Sequence, residues 1–514
     1  MASTEAAILA IDQGTSSSRT LVFDARTGEC LASAQRVVNK YEPCAGWVEQ
    51  DAMELFSTVE ECLSEILPKL SVSSIKAVGI TNQRETTVLW DKSTGQPLYN
   101  AIVWQDQRTA DIVKKMKPNL PADFSDVCGL PLDTYFSATK LRWLLDNCKA
   151  EELAQCINNG NCMFGTVDTW LIWKLTGGVD GGRHVTDVTN ASRTMLMDIN
   201  TCQWSERLKQ LFGIPDGVQF PTICSSSQIY GTIHSSVAGG RYEGLPVAGC
   251  LGDQQAALVG HGCLTAGSAK STYGTGCFML YNTGTKVARS QHGLLTTVAY
   301  KFGDQDTHYA LEGAVAVAGD IVKWLRDRMG MFEKASDSEK LAEAAEKEKD
   351  FEVMFVPAFS GLKAPYWEAD ARGIILGLTY NTSREHICRA ALESTCFQTK
   401  EVLEEMMKES TSTETMRMLR VDGGMTANRY FLQKLADILH VDIACPRMAE
   451  ITALGAAYAA GLAVGVTLAL DSGIDVLSSK ETPAGEAAYY RRWKEAVKRC
   501  KDWHGDSFDT ASSS

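Results

Sequence analysis

A polar turn between two apolar runs dominates the start of the chain: Ile8-Leu9-Ala10-Ile11-Asp12-Gln13-Gly14-Thr15-Ser16-Ser17-Ser18-Arg19-Thr20-Leu21-Val22-Phe23-Asp24. The pattern predicts a β-hairpin with an acid at the end of its first strand. Gly14 lets the backbone turn tightly. Thr15 to Ser18 set hydroxyls and backbone N–H groups in one small concavity, a nest that suits phosphate oxygens. Arg19 adds a permanent positive charge. Asp12 would repel bare phosphate, so it belongs there only with a divalent cation in between; carboxylate plus phosphate is how Mg²⁺ is usually held. Taken alone, the same residues read equally well as an ordinary surface hairpin.

With 514 residues the chain exceeds one typical core, so two or more domains are expected. A net charge of −13 argues against a broad basic face for nucleic acid, and any anion site must be local. The 16 cysteines include no Cys-x-x-Cys pair and no Cys/His cluster at zinc spacing, which fits reduced thiols of an intracellular protein. Met1 to Ala7 lacks the basic and apolar regions of a signal peptide. Ile451 to Leu470 carries no charge over a membrane-spanning length, but it is rich in Ala and Gly. It reads better as a helix packed closely on other protein, followed by a turn.

A second hairpin is expected where Tyr273-Gly274-Thr275-Gly276 precedes Cys277-Phe278-Met279-Leu280. Two such hairpins suggest two similar α/β domains with a nucleotide between them and a boundary near residues 250–260. Ser336 to Glu348 predicts a solvated surface helix. Glu486 to Trp503 predicts a docked helix with Tyr489, Trp493, Ala496, Val497, Cys500 and Trp503 on one face, after a turn at Thr482-Pro483-Ala484-Gly485.

Several segments bear chemistry-competent residues. Val247 to Leu258 is an apolar strand ending in Gly252-Asp253-Gln254, then a helix start. Asp253 reads as a helix cap, as a base for a substrate hydroxyl, or as both. Arg84 and Glu85 offer a donor fork beside an acceptor, which a small polyol needs because each hydroxyl donates and accepts. Read locally, they fit an ion-rich surface turn better. Trp104 and Phe278 could wall a pocket, though lone aromatics are more often core. Val421-Asp422-Gly423-Gly424 allows close approach of a flat ligand or phosphate, or simply a tight strand-to-helix turn. The P-loop pattern is absent, as is Gly-x-Gly-x-x-Gly after a strand.

Together these segments resemble the FGGY carbohydrate-kinase family, from about Ile8 to about Trp503. Tyr135-Phe136-Ser137-Ala138-Thr139-Lys140-Leu141-Arg142-Trp143-Leu144-Leu145-Asp146-Asn147 looks like one family signature, and the run from Gly373 through Gly377-Leu378 to Ala391-Leu392-Glu393 like the other. Asn82 to Thr87, Phe164 to Trp170, Thr189 to Met195 and Gly252 to Gln255 are similar to the glycerol-phosphorylating branch rather than to xylulose or gluconate kinases. The resemblance implies two actin/hexokinase-like (ribonuclease H-like) α/β domains, residues 1–255 and 256–514, with the active site in the cleft between them. It implies ATP-dependent phosphorylation of glycerol to sn-glycerol 3-phosphate, a step of glycerol catabolism.

By the same resemblance, glycerol would be held by Arg84, Glu85, Trp104, Tyr135, Asp253, Gln254 and Phe278, with Asp253 as general base. Asp12, with Asp253 nearby, would order Mg²⁺. Thr15, Ser16, Ser17 and Arg19 would hold phosphates from the first domain, and Thr275 and Gly319 from the second. Gly424 and Asn428 would contact adenosine. A homodimer in the cytoplasm is implied, with a peroxisome-like organelle as the alternative, although Ala511 to Ser514 lacks a Ser-Lys-Leu tail. One departure is Lys323, four residues after Gly319, where such kinases carry Gln; it could meet a phosphate or point to solvent. The rivals are a kinase of another small polyol or sugar, and a catalytically silent, actin-like nucleotide-binding scaffold.

Overall fold

Both expected hairpins form, and each opens a sheet. The computed structural model describes residues 6–66, 74–347, 352–368, 370–410, 416–470, 473–480 and 483–503. Strand β1 (Ala7–Gln13) pairs antiparallel with β2 (Ser17–Asp24), and Gly14 N–H donates to the Ser17 carbonyl at 2.9 Å across the turn. β2 continues antiparallel to β3 (Cys30–Val37). On the other side β1 runs parallel to β4 (Ile75–Asn82), which runs parallel to β6 (Pro246–Gly252); β5 (Ser227–Thr232) closes the edge. The sheet order is β5-β6-β4-β1-β2-β3. The central strands are covered on both faces, so Ile8 to Ile11 and Ala77 to Ile80 are continuously buried rather than alternating.

The second sheet repeats this plan. β7 (Ala269–Tyr273), β8 (Cys277–Gly284) and β10 (His308–Val315) are antiparallel neighbours, and β9 (Leu295–Tyr300) pairs with β10. β7 runs parallel to β11 (Met418–Asp422), and β11 to β12 (Asp442–Pro446); β13 (Ile474–Leu477) closes the edge antiparallel. The order is β9-β10-β8-β7-β11-β12-β13. Reading outward from β1 or β7, each sheet has antiparallel strands on one side and, on the other, parallel strands ended by an antiparallel edge strand. The two sheets meet where Arg84, just past β4, pairs with Glu312 on β10.

Helix α1 (Ala52–Ile66) packs its apolar stripe under β2 and β3. The uncharged run expected to pack closely forms α9 (Ile451–Ala463), followed by a turn at Val464 and Gly465. It lies across β1, β4 and β6 of the first sheet, although it comes late in the chain. Its small residues are needed there: a Cβ on Gly79 would collide with the Ala456 carbonyl, and one on Gly455 with the Ala256 carbonyl. Among the described residues, no helix is long and apolar enough to cross a membrane. All sixteen cysteines are free thiols.

Three helical expectations are adjusted. The surface helix is α6 (Asp337–Glu346), which buries Ser338, Ala342 and Ala345 against α7 (Arg384–Glu409), so it is solvated on one face only. The C-terminal helix α10 (Pro483–Arg499) begins inside the expected turn, because Pro tolerates the first helical position, where its missing N–H has no partner to lose. Trp493, Ala496 and Val497 are buried as expected, but Trp503 lies past the helix and is exposed. The tail Ala511–Ser514 and the first five residues fall outside the described residues.

Candidate active site

Arg84 and Glu85 follow β4, and both are buried, at 3% and 1% exposure. The local expectation of a surface turn is therefore overturned. Two distant residues make burial possible by neutralising the pair. Glu312 on β10 accepts from both terminal nitrogens of Arg84, at 2.5 and 2.9 Å. Arg193 donates to Glu85 at 2.7 Å and to Glu312 at 3.1 Å. Two guanidinium and two carboxylate groups thus form one closed network joining the two halves, and buried charges of this kind persist only when paired and hydrogen-bonded. Burial pushes the Glu312 carboxyl up, but Arg193 and Arg84 outweigh it and hold it at about 2. Glu85 has φ of 60°, a left-handed conformation rare for a side chain of this size. Hydroxyls of Thr87 and Ser137 fix it there by donating to its carbonyl, at 2.9 and 3.0 Å.

Asp253 is the first residue of α4 (Asp253–Gly260), with Gly252 in the cap position, so its side chain is not committed to capping. Among the described residues it accepts a hydrogen bond only from the neighbouring Gln254 N–H, at 2.7 Å, and it lies 3.4 Å from Nε of Arg84. About a third of the side chain remains open to the cleft. Burial lifts its carboxyl above the ordinary range, while Arg84 and Lys270 pull it back. Gln254 accepts from the buried Lys270 ammonium, which also donates to Thr272 at 2.9 Å. Around these groups stand three rings. Trp104 lies 5.6 Å from Tyr135 and 6.3 Å from Phe278, both edge-on, and Tyr135 Oη accepts from Arg84 at 3.4 Å. The seven residues expected to form one pocket are thus gathered at one place: a donor fork, acceptors and an aromatic wall.

The Thr189–Met195 segment explains how the two loops keep register. Asp187 accepts from the N–H groups of Thr189 and Asn190, capping the short helix α3 (Val188–Ala191). Asn190 then exchanges two amide hydrogen bonds with Asn82, at 2.9 and 3.0 Å, and Thr189 accepts from Gly252 N–H at 2.9 Å. One helix therefore pins the ends of both β4 and β6, just before Arg84 and Asp253. Burial and the Asp168 charge push the Asp187 carboxyl up to about 6.

At the first hairpin, Asp12 sits in register with Arg19 on β2 and Thr81 on β4. Burial raises its carboxyl to about 7; Arg19 opposes this, while the Asp253 and Glu450 charges add to it. A carboxylate oxygen such as that of Asp12 suits a hard divalent ion such as Mg²⁺. Thr15 accepts from Trp104 Nε1 at 2.9 Å, tying the hairpin to the aromatic wall. Ser16 is exposed and Ser17 half-buried. Arg19 donates to Glu450 at 2.9 Å, an acid 431 positions away that local patterns do not reveal.

Thr275, Gly319, Gly424 and Asn428 line a cavity of about 370 Å³ on the second half. Gly319 N–H donates to the Gly274 carbonyl at 2.9 Å, closing the second hairpin onto α5 (Gly319–Asp327). A Cβ on Gly424 would meet open space. Asn428 caps α8 (Arg429–Leu439), accepting from Phe431 N–H at 2.9 Å. Lys323 lines the same cavity but is mostly exposed and pairs with Asp320 at 2.9 Å. The residues sequence reasoning missed are Glu312, Arg193, Lys270 and Glu450. For Glu312 one local signal existed: a lone acid in the otherwise apolar strand His308–Val315.

The fold places the chain among two-domain α/β proteins that work in the cleft between similar halves. Residues 7–260 match the N-terminal domain, and residues 269–464 the C-terminal domain, of the FGGY family of carbohydrate kinases, and the chain belongs to that family. Glycerol kinases of Renibacterium salmoninarum and Acidiphilium cryptum are each 50% identical to it, over 510 and 504 residues, covering 96% of this chain and 98% of theirs. The crystal structure of Plasmodium falciparum glycerol kinase with ADP matches with a TM-score of 0.89 at 39% identity, over 96% of this chain and 98% of that one. A gluconate kinase from Lactobacillus acidophilus shares the fold, with a TM-score of 0.84 at 22% identity.

Proposed function

We propose that the chain transfers the γ-phosphoryl group of ATP to glycerol, giving sn-glycerol 3-phosphate for glycerol catabolism. The observation that carries this is the juxtaposition of Asp253, open to the cleft, with the Arg84 guanidinium 3.4 Å away under an aromatic wall. Relatives named glycerol kinase at half identity over nearly the whole chain support the substrate. Arg84 and Glu85 bind hydroxyls, with Gln254 and Tyr135 beside them; Trp104 and Phe278 cover the carbon edge. Asp253 accepts the proton of the attacking primary hydroxyl as that oxygen meets phosphorus in line. Thr15, Ser16, Ser17 and Arg19 on one side, and Thr275 and Gly319 on the other, take up phosphate charge, with Arg19 exchanging Glu450 for phosphate. Gly424 and Asn428 border the adenosine. Asp12, with Asp253 nearby, would hold Mg²⁺, which would supply positive charge to neutralise the phosphates.

The division of labour falls at the start of α4. Residues 1–255 provide the glycerol and phosphate side and 256–514 the nucleotide side, with α9 returning to the first sheet. Closure of the halves expels water from the cleft.

The first test is ADP release from Mg-ATP with glycerol, with larger polyols and sugars, and with none. Glycerol-dependent release supports the assignment. Release driven by a larger sugar overturns the substrate, and tight ATP binding without release with any polyol makes the protein a scaffold. Two variants probe the two subsites. Arg84→Ala is expected to raise KM for glycerol far more than KM for ATP, as removal of a ground-state contact does. Gly424→Val places a branched side chain in the open cavity; it should raise KM for ATP and leave KM for glycerol and Tm close to wild type.

A further inference from the structure

Lys140 is 0% exposed, yet among the described residues no carboxylate lies within ion-pair distance of its ammonium. It sits in the first turn of α2 (Ser137–Asn147), the end of a helix where the backbone dipole disfavours a cation. Burying an ammonium there costs free energy unless its protons are satisfied. They are satisfied by main chain: Nζ donates to the carbonyls of Thr134 and Tyr135, each at 2.6 Å, and of Phe136 at 3.4 Å. All three belong to the turn that leads into the helix.

That turn carries Tyr135, whose ring meets Trp104 and whose hydroxyl meets Arg84. The guanidinium of Arg193 lies over the rings of Tyr135 and Phe136, at 5.7 and 5.3 Å. Ser137, at the end of the same turn, holds the carbonyl of the left-handed Glu85. An ammonium that draws three consecutive carbonyls together is a fastening for this turn. The charges that act on it are Glu85, Asp106 and Asp133, which favour the cation, and Arg108, which opposes it.

We infer that Lys140 is a positioning residue for the polyol: by gathering the carbonyls of residues 134–136 it fixes the Tyr135 ring against Arg84 and Trp104. This rests on the proposal that Tyr135 borders bound glycerol. The effect runs through Tyr135, so it should vanish when that ring is absent, whereas a general contribution to folding would persist.

A double-mutant cycle on the full-length protein tests this, with KM and kcat for glycerol and KM for ATP measured at saturating partner substrate. Lys140→Met is expected to raise KM for glycerol about tenfold and to leave KM for ATP within a factor of about two, and Tyr135→Ala to raise KM for glycerol as well. The double variant should show no more than the Tyr135→Ala effect, because residues acting through one contact are non-additive. Full additivity, or an unchanged KM for glycerol in Lys140→Met, overturns the inference. An unchanged KM for glycerol in Tyr135→Ala overturns the pocket assignment itself and the inference with it. Should Lys140→Met not fold, Lys140→Gln, which keeps two N–H donors without the charge, takes its place in the cycle under the same criteria.

Discussion

Asp253→Asn is expected to lower turnover with glycerol by roughly 10²–10⁴-fold, the span usual for removing a general base. Asparagine is nearly isosteric, and its carbonyl oxygen can still accept from Gln254 N–H, so the start of α4 is preserved. What it cannot do is take a proton from the attacking hydroxyl. Burial lifts the Asp253 carboxyl above its ordinary range, toward greater basicity, while Arg84 and Lys270 pull it back. With a third of the side chain open to the cleft, the loss of charge has little effect on folding, and Tm should stay within about 2 °C, as for substitutions outside the core. The measurement is glycerol-dependent ADP release at saturating substrates, with Tm recorded on the same samples. Turnover within a few-fold of wild type would remove Asp253 from this role and leave the hydroxyl proton to solvent or to phosphate.

Features set by neighbouring residues were legible in the chain itself. Gly14 and the apolar runs beside it specify the first hairpin, and Gly274 and Gly276 the second, because turn chemistry acts over a few positions. The packing of α9 is legible in its Ala and Gly content, but not its destination on the first sheet, where Ala456 meets Gly79 from 377 positions away. Read locally, Arg84 and Glu85 fit a surface turn for the same reason. Charge beside charge after a strand is usually solvated, and only partners far along the chain reverse that: Arg193 lies 108 positions from Glu85, and Glu312 lies 228 from Arg84. The start of α10 was misplaced because Pro reads as a turn residue as readily as a first helical residue. Motif residues were therefore found, while the groups that hold them were not.

Glu312→Gln tests whether those holding groups matter. The carboxylate accepts from two guanidinium groups and is fully buried. An amide of the same shape keeps one oxygen but turns an NH₂ group toward an N–H donor, and it leaves Arg84 and Arg193 with Glu85 as the one remaining carboxylate of the network. Removing one partner from a buried ionic network typically costs about 3–5 kcal/mol. A lower Tm is expected, together with a raised KM for glycerol, because Arg84 loses the group that orients it. The pH dependence gives a separate signature. Glu312 is held at about 2, against 4.5 for an ordinary glutamate, so its pairing stabilises the fold fully above pH 4.5 and is lost as pH falls from 4.5 toward 2. Over that window wild type should lose on the order of 3 kcal/mol from this one group, at 1.36 kcal/mol per pKa unit. The variant lacks that loss, so the two stability curves should converge in acid and diverge toward neutral pH. Denaturant unfolding at several pH values between 2.5 and 7 measures this directly. Parallel curves across the range would mean that the Glu312 charge contributes nothing specific, and that Arg84 is held in place by Tyr135, Gln255 and Asp253 alone.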